Sequence, residues 1–199
     1  MRETKPTRKE DLRVRRTYEL LSQALMSLLP EKSFEEITVT DICERAMIHR
    51  TTFYKHFKDK YQLLDFCVKG MISCFEKEDD MPRPGRDMKD YYMDLIRRAL
   101  IYIADNRDLL LTGIFRAGNS SASPMFHRSI CHLIETKLIE YEGLGYHHTI
   151  PLPVIAEYYT GALISAAVWW LENDTPVSID DMVHYISLLI NETGYVVKR

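Results

Sequence analysis

The sequence predicts an all-α protein of about nine helices, in which two short helices joined by a tight turn precede a longer helical remainder. Three observations carry this. Apolar residues return at steps of three and four through the long segments, the period of a helix with one buried face. No run alternates apolar and polar residues between turn signals, as a half-buried strand would. Proline falls at the edges of the periodic segments, at Pro30, Pro124, Pro151 and Pro153, where it stops a helix or opens one.

Taken in order, Val14, Tyr18, Leu21, Leu25 and Leu28 define one amphipathic helix over residues 9–29, ended by Pro30. Thr38 with Asp41 three residues on has the form of a capping box. It opens a short helix over 39–46 that buries Ile42 and Ala46. After a break at Met47, Ile48 and His49, a second short helix covers 50–56, with Phe53 and Phe57 turned inward. Helices of about seven residues are marginal in water, so both must be held by their neighbours. The next helix, residues 60–78, has the seam Leu64, Val68, Met71 and Phe75. Residues 76–87 mix charge with Pro82, Pro84 and Gly85 and read as a surface connection. The chain is therefore divided into residues 1–70, with the helix-turn-helix at 38–57, and residues 71–199. Helices are expected over 88–104, 107–115, 125–142 and 151–172, with a break at 118–121 and stops at Gly143 and Gly145. A last helix runs to Ile190, capped by Ser178 and Asp181.

A chain of 199 residues with 46% hydrophobic and 28% charged residues has the balance of a folded protein, not of a disordered or fibrous one. Met1 to Arg16 is too polar for a secretory segment, and the longest uncharged stretch in the apolar region, Tyr158 to Leu171, falls short of the roughly 18 to 20 residues a spanning helix needs. The expectation is a cytoplasmic protein with no membrane partner. Cys43, Cys67, Cys74 and Cys131 form no CxxC pair and sit in apolar helical patterns, as reduced core thiols do. The net charge of -3 divides unevenly: residues 1–60 carry +3 and the remainder -6. Only the front of the chain favours phosphate.

A helix-turn-helix reads DNA because a tight turn holds its second helix at an angle that lets it enter the major groove. In residues 38–57, TVTDICERAMIHRTTFYKHF, the second helix alternates inward Phe53 and Phe57 with Arg50, Thr51, Thr52, Tyr54, Lys55 and His56. That outer set can donate and accept hydrogen bonds, which suits base edges and phosphates better than a core. The longer stretch ITVTDICERAMIHRTTFYKHFKDKYQLL resembles the DNA-binding signature of TetR-family regulators, with Thr38, Val39, Ile42, Ala46, Thr52, Tyr54, His56, Phe57, Lys60, Leu63 and Leu64 in register. The resemblance covers roughly residues 10–70. It departs at Cys43, where a small residue is usual, at Met47, where glycine is usual, and at His49, where serine or threonine usually caps the second helix. A non-glycine residue in the left-handed turn costs about 1 kcal/mol or more, so Met47 is expected to be strained or the turn to relax.

The resemblance implies that Thr52, Tyr54 and Lys60 meet phosphates, with Thr38 or Thr40 adding contacts, and that the remainder is a helical regulatory domain. Arg50, Thr51 and either Thr40 or Lys55 are the candidates for base edges, and Arg50 can bond guanine O6 and N7 together. His49 and His56 complete the candidate DNA surface. The partners implied are double-stranded operator DNA with a palindromic sequence, a second copy of the chain and an unknown small-molecule effector. No cofactor is called for.

One short helix covers too few base pairs for tight binding, so such proteins bind as two-fold dimers across successive major grooves. The last two helices suit that need: Gly161, Ala162 and Ser165 allow close approach, while Trp169, Met182, Tyr185, Ile186 and Leu189 supply area. A family pocket lies among the central helices, and Tyr92, Tyr102, Phe115, Phe126 and Tyr158 are its candidate lining. His127, Cys131 and His132 lie close on one helix, but one helix presents only two such ligands at once, and no metal is assigned.

Catalysis finds no support: there is no phosphate-cradling glycine loop, nucleophile elbow or HExxH. A ligand-responsive repressor is the leading function. The rival is a co-regulator or activator of the same fold that acts through a protein partner, since the C-terminal helices somewhat resemble a Firmicute-type regulatory domain that includes such activators. Retention of Arg50, Thr52, Tyr54, Lys55 and Lys60 favours direct DNA binding.

Overall fold

The structure, a computed structural model, describes residues 8–75, 88–115, 122–190 and 196–198. The helices are α1 (Arg8–Leu28), α2 (Val39–Ala46), α3 (Arg50–His56), α4 (Lys60–Phe75), α5 (Met88–Asp105), α6 (Ala122–Gly143), α7 (Leu152–Glu172) and α8 (Ile179–Leu189). Between α5 and α6 lies a π-helix, Leu109–Phe115, where an ordinary short helix from residue 107 was expected. Among the described residues the fold is helical apart from a short ribbon, in which β1 (Tyr146–His148) pairs antiparallel with β2 (Val196–Lys198). Strands this short leave no period in the sequence, so the ribbon was not anticipated. The connection at 76–87, the break at 118–121 and the first basic residues, such as Lys5, lie outside the described residues.

The inward face of α1 is Leu21, Ala24, Leu25 and Leu28, against which α2 and α4 pack. α2 begins with the expected capping box. The Asp41 N–H donates to Thr38 Oγ1 at 3.1 Å and the Thr38 N–H donates to Asp41 Oδ2 at 2.7 Å, so two unpaired helix-start donors are satisfied at once. The Lys32 ammonium adds a 2.9 Å bond to the same carboxylate. This bond, with those from Thr38, draws the Asp41 carboxyl down to about 2.

α2 ends in a Schellman motif: the Ile48 N–H reaches Cys43 O at 2.9 Å and the Met47 N–H reaches Glu44 O at 3.1 Å. Met47 closes it in the left-handed region, φ 54° and ψ 42°. Of the two expected alternatives, strain or a relaxed turn, the backbone takes the strained one. Its side chain is 91% exposed and recovers little by packing.

One continuous cluster of buried residues runs from Leu21 on α1 to Ile186 on α8. α6 lies along α7, and α8 packs on α5. Trp170, 2% exposed, donates its indole N–H to Val177 O at 2.8 Å and fixes the turn into α8. Arg107 ties that turn back by donating to Leu171 O at 3.0 Å and to Asp174 at 2.8 Å. α7 changes one expectation. With residues 152–157 joined to the stretch Tyr158 to Leu171, α7 is by length and composition long and apolar enough to cross a membrane, and only 28% of its most apolar 18 residues is buried within the chain. The buried helix expected there is thus buried on one side only.

The front and rear of the chain meet where α4 packs on α6 and α5, and again at the loop after α1. The Phe34 N–H donates to Gly113 O of the π-helix at 3.4 Å. A Cβ on Gly113 would stand 2.7 Å from Leu29 Cβ and 3.0 Å from Leu29 O, so this approach requires glycine.

Two substitutions test these local readings in urea unfolding. Met47→Gly is expected to stabilise the chain by about 1 kcal/mol, because it relieves a left-handed backbone and gives up no buried contact. Gly113→Ala is expected to cost about 1–3 kcal/mol through the forced retreat of Leu29. No loss in that variant would refute the close packing of loop and π-helix.

Candidate functional site

α3 has a sharply divided surface. Phe53 is fully buried and Phe57, just past its end, is 3% exposed. The Tyr18 ring from α1 meets Phe57 edge-on at 5.0 Å. On the other side Arg50, Thr51, Tyr54 and Lys55 are exposed, with Thr52 half-buried at the margin. His49 stands at the N-cap, exposed and making no capping bond. Thr40 is exposed near the start of α2. These groups combine a guanidinium, an ammonium, an imidazole and several hydroxyls, which can address base edges and phosphate oxygens together. The exposed Lys58, just after α3, adds a cation that the motif reading passed over.

Three expected contacts are placed otherwise. Lys60 is the main correction. Its ammonium donates to the carbonyls of Phe34, Glu35 and Ile37 at 2.8, 3.0 and 2.8 Å and sits 4.7 Å over the Phe34 ring. All three protons are committed to the loop ahead of α2, so none is left for phosphate in this conformation. Burial pushes this lysine below its ordinary value, with the charges of Glu35 and Asp41 opposing. The Thr38 hydroxyl is also engaged, accepting from the Asp41 N–H and donating to Asp41 Oδ2 at 2.8 Å. His56 is half-buried with its ring edge-on to Tyr18 at 5.3 Å. Arg45 holds α2 against the end of α1 through a two-bond pair with Glu31 at 2.9 and 2.8 Å.

The rear of the chain holds two adjoining cavities. The larger, about 140 Å³, lies between α5, the π-helix, α6, α7 and α8, and every lining side chain is apolar, Phe115 and Phe126 among them. The smaller, about 90 Å³, shares Leu95, Ile96, Leu133, Ile134 and Leu163 with it and ends at Tyr92, Tyr159, Lys137 and His148. Of the five expected lining residues, Tyr92, Phe115 and Phe126 are therefore present. Tyr102 instead faces a separate open groove against α1 and α4. Tyr158 is 69% exposed on α7 and lines neither cavity. Periodicity placed both tyrosines on helices but could not say which neighbour each helix turns toward.

Among the expected dimer residues, Met182 and Ile186 are 4% and 6% exposed and belong to the chain's own core, since α8 uses that side to pack on α5. Ala162, Ser165, Trp169, Tyr185 and Leu189 are exposed, and Gly161 is half-buried. Tyr158, Ala162, Ser165 and Trp169 fall at steps of four, three and four on α7, and Leu188 joins Tyr185 and Leu189 on α8. His127 lies 3.6 Å from Glu157 across α6 and α7, Cys131 is half-buried and His132 exposed. Among the described residues no three histidine, cysteine or acidic side chains are grouped to hold a metal ion.

Residues 21–66 match the family model "Bacterial regulatory proteins, tetR family", and residues 90–192, more than half of the chain, match "Transcriptional regulator C-terminal region" of the TetR type. The uncharacterized HTH-type transcriptional regulator YxbF of Bacillus subtilis is 39% identical over 72 residues, which span 36% of this chain and 18% of YxbF. A TetR transcriptional regulator from Streptococcus agalactiae superposes with a TM-score of 0.64 at 20% identity, covering 92% of this chain and 98% of that one. The regulator FadR of Bacillus subtilis, solved in complex with stearoyl-CoA, does so at 0.63 and 17% identity, covering 86% and 96%. A short helix presenting a polar, cationic face from a helix-turn-helix, joined to a helical remainder that matches these regulators, makes this chain a member of the TetR family of DNA-binding transcriptional regulators.

Proposed function

We propose that the chain is a ligand-responsive repressor that binds a palindromic operator as a homodimer. One observation carries the reading: α3 buries Phe53 completely while Arg50, Thr51, Tyr54 and Lys55 stand open to solvent. Residues 1–70 act as the DNA-binding part and residues 71–199 as the regulatory part, at work in the cytoplasm, where the DNA is. Arg50 and Thr51 read base edges. Thr40, His49, Thr52, Tyr54 and Lys55 meet backbone or flanking bases, and Lys60, with Thr38 and His56, positions the helices that carry them.

Dimerisation sets two α3 helices at the groove repeat of about 34 to 36 Å. The exposed stripe of α7 and α8, with Trp169 at 51% and Leu189 at 79%, is the surface to be covered. The cavity between α5 and α8 receives the effector, a role for which the stearoyl-CoA complex of FadR offers a precedent at the level of fold. Its wall includes Leu110 and Phe115 of the π-helix, whose Gly113 O accepts the Phe34 N–H beside the helix-turn-helix. A ligand that binds better to one π-helix position shifts the population of α2 and α3 orientations.

Binding to DNA upstream of the chain's own gene, followed by fluorescence anisotropy, is expected to weaken steeply between about 50 and 200 mM salt, since phosphate contacts release counterions. Arg50→Ala is expected to reduce the preference for that DNA over unrelated duplex by about 1–3 kcal/mol per base pair read. Affinity that ignores salt, or an Arg50→Ala variant that keeps its preference, refutes the reading. In light scattering at micromolar concentration the protein is expected as a dimer and Leu189→Asp as a folded monomer that has lost operator affinity. A monomeric parent protein would remove the dimer.

A further inference from the structure

The base of the helix-turn-helix holds a seat shaped for one kind of cation. The carbonyls of Phe34, Glu35 and Ile37 converge on the Lys60 ammonium at 2.8, 3.0 and 2.8 Å. Two rings flank it, with the Phe34 centroid 4.7 Å and the Tyr61 centroid 5.5 Å from the nitrogen, and these rings meet edge-on at 5.3 Å. An ammonium carries its three N–H donors on a single atom. No guanidinium nitrogen carries more than two, and the planar fork points them apart. Three carbonyls gathered on one point beside aromatic rings therefore suit a lysine and not an arginine.

The elements joined by this seat are the ones that orient the reading helix. Residues 34–37 form the turn that leads into α2: the Ile37 N–H donates to Phe34 O at 3.3 Å, and Thr38, the next residue, is the α2 cap. Phe34 and Ile37 are fully buried, and on its other side the Phe34 N–H reaches Gly113 O at 3.4 Å. Lys60 is the first residue of α4. Its ammonium thus ties the start of α2 to the start of α4, and α3 lies in the chain between these anchors. α2 leads into α3 through the Met47 turn, and three residues, 57–59, separate α3 from α4. A lysine that left this seat for a phosphate would strand three carbonyls, two of them on buried residues, without the donor they now have.

We propose that Lys60 is a positioning residue that governs DNA affinity without touching DNA: its ammonium pins the 34–37 turn to the start of α4 and so fixes the angle at which α3 is presented, in a seat that takes a primary ammonium and not a guanidinium. The proposal rests on the reading of α3 as the DNA-reading helix, yet the pin is a property of the free protein. The two roles open to a lysine here leave different marks. A phosphate contact releases counterions and is kept by any cation that reaches the backbone. A pin contributes nothing to salt dependence and is lost when the shape of the cation changes.

Hydrogen exchange of the full chain without DNA, read by mass spectrometry, tests the pin, and anisotropy with DNA upstream of the chain's own gene tests its consequence. Amide exchange over residues 34–46 is expected to quicken at least tenfold in Lys60→Ala and in Lys60→Arg, while exchange in α8 keeps the parent rate. Propylammonium supplies the atoms that Lys60→Ala lacks beyond Cβ and is expected to restore protection there. Tetramethylammonium at the same concentration, having no N–H, is not. With DNA, both variants are expected to bind at least tenfold more weakly at the parent's salt dependence, and propylammonium recovers the alanine variant. Loss of a phosphate contact would instead lower the slope of log affinity against log salt by about one, and arginine would replace the lysine. Where Lys60→Ala unfolds before assay, its melting temperature in the two ammonium salts is the readout. Unchanged exchange in Lys60→Arg, parent affinity in Lys60→Arg, a slope lowered by about one in Lys60→Ala, or an equal response to the two salts overturns the proposal. A parent protein that binds no DNA refutes the regulator reading instead, and the exchange rates then decide the pin.

Discussion

The architecture turns on how two helices of eight and seven residues are kept in place. Neither is long enough to persist on its own hydrogen bonds, and the face α3 must present to DNA cannot also be buried. Everything that orients them comes from behind. The Lys60 ammonium gathers the carbonyls of residues 34, 35 and 37 just ahead of the α2 cap. Asp41 ties Thr38 to Lys32, and Arg45 ties α2 to α1 through Glu31. Polar groups that a motif would assign to DNA are thus spent on the scaffold, and the reading face is left to the residues that scaffold does not need.

That allocation explains why the fold was legible and the site only partly so. Helix periods mark which side of α1, α4 and α8 is apolar, and caps such as Thr38 with Asp41 mark where helices start. The observed α2 and α3 follow the expected residues closely. What a period cannot supply is the identity of the neighbour. Lys60 resembles a phosphate contact by position, but its nearest acceptors are backbone carbonyls more than twenty residues earlier in the chain. Met182 and Ile186 have the apolarity of an interface, and the core takes them because α8 lies on α5. Tyr158 has the bulk of a pocket residue, and it stands on the open side of α7. The β1 ribbon is three residues long and carries no alternation at all.

The π-helix is a second case. A sequence of this length reads as about two ordinary turns of helix, whereas here Gly113 presents its carbonyl to Phe34 and its bare Cα to Leu29. Such wide turns are rare and frequently lie at functional sites. Here the same seven residues give Leu110 and Phe115 to the cavity wall and Gly113 to the loop beside the helix-turn-helix. The π-helix is therefore one link between cavity and helix-turn-helix, beside the packing of α4 on α6.

α7 extends this logic to the dimer. Its cavity side carries Leu163, Ile164, Ala167 and Val168, and its open side carries Tyr158, Ala162, Ser165 and Trp169. A helix apolar on both sides needs cover on both, and among the described residues only one side has it. Interiors pack too closely for a wall to yield without moving what lies behind it. A displacement of α7 that admits a ligand is accordingly also a displacement of the stripe by which two copies would meet. In the homodimer proposed above, half-site spacing would be set by that meeting, and a ligand in the cavity would act on the helix-turn-helix both within one copy and, through α7, between two.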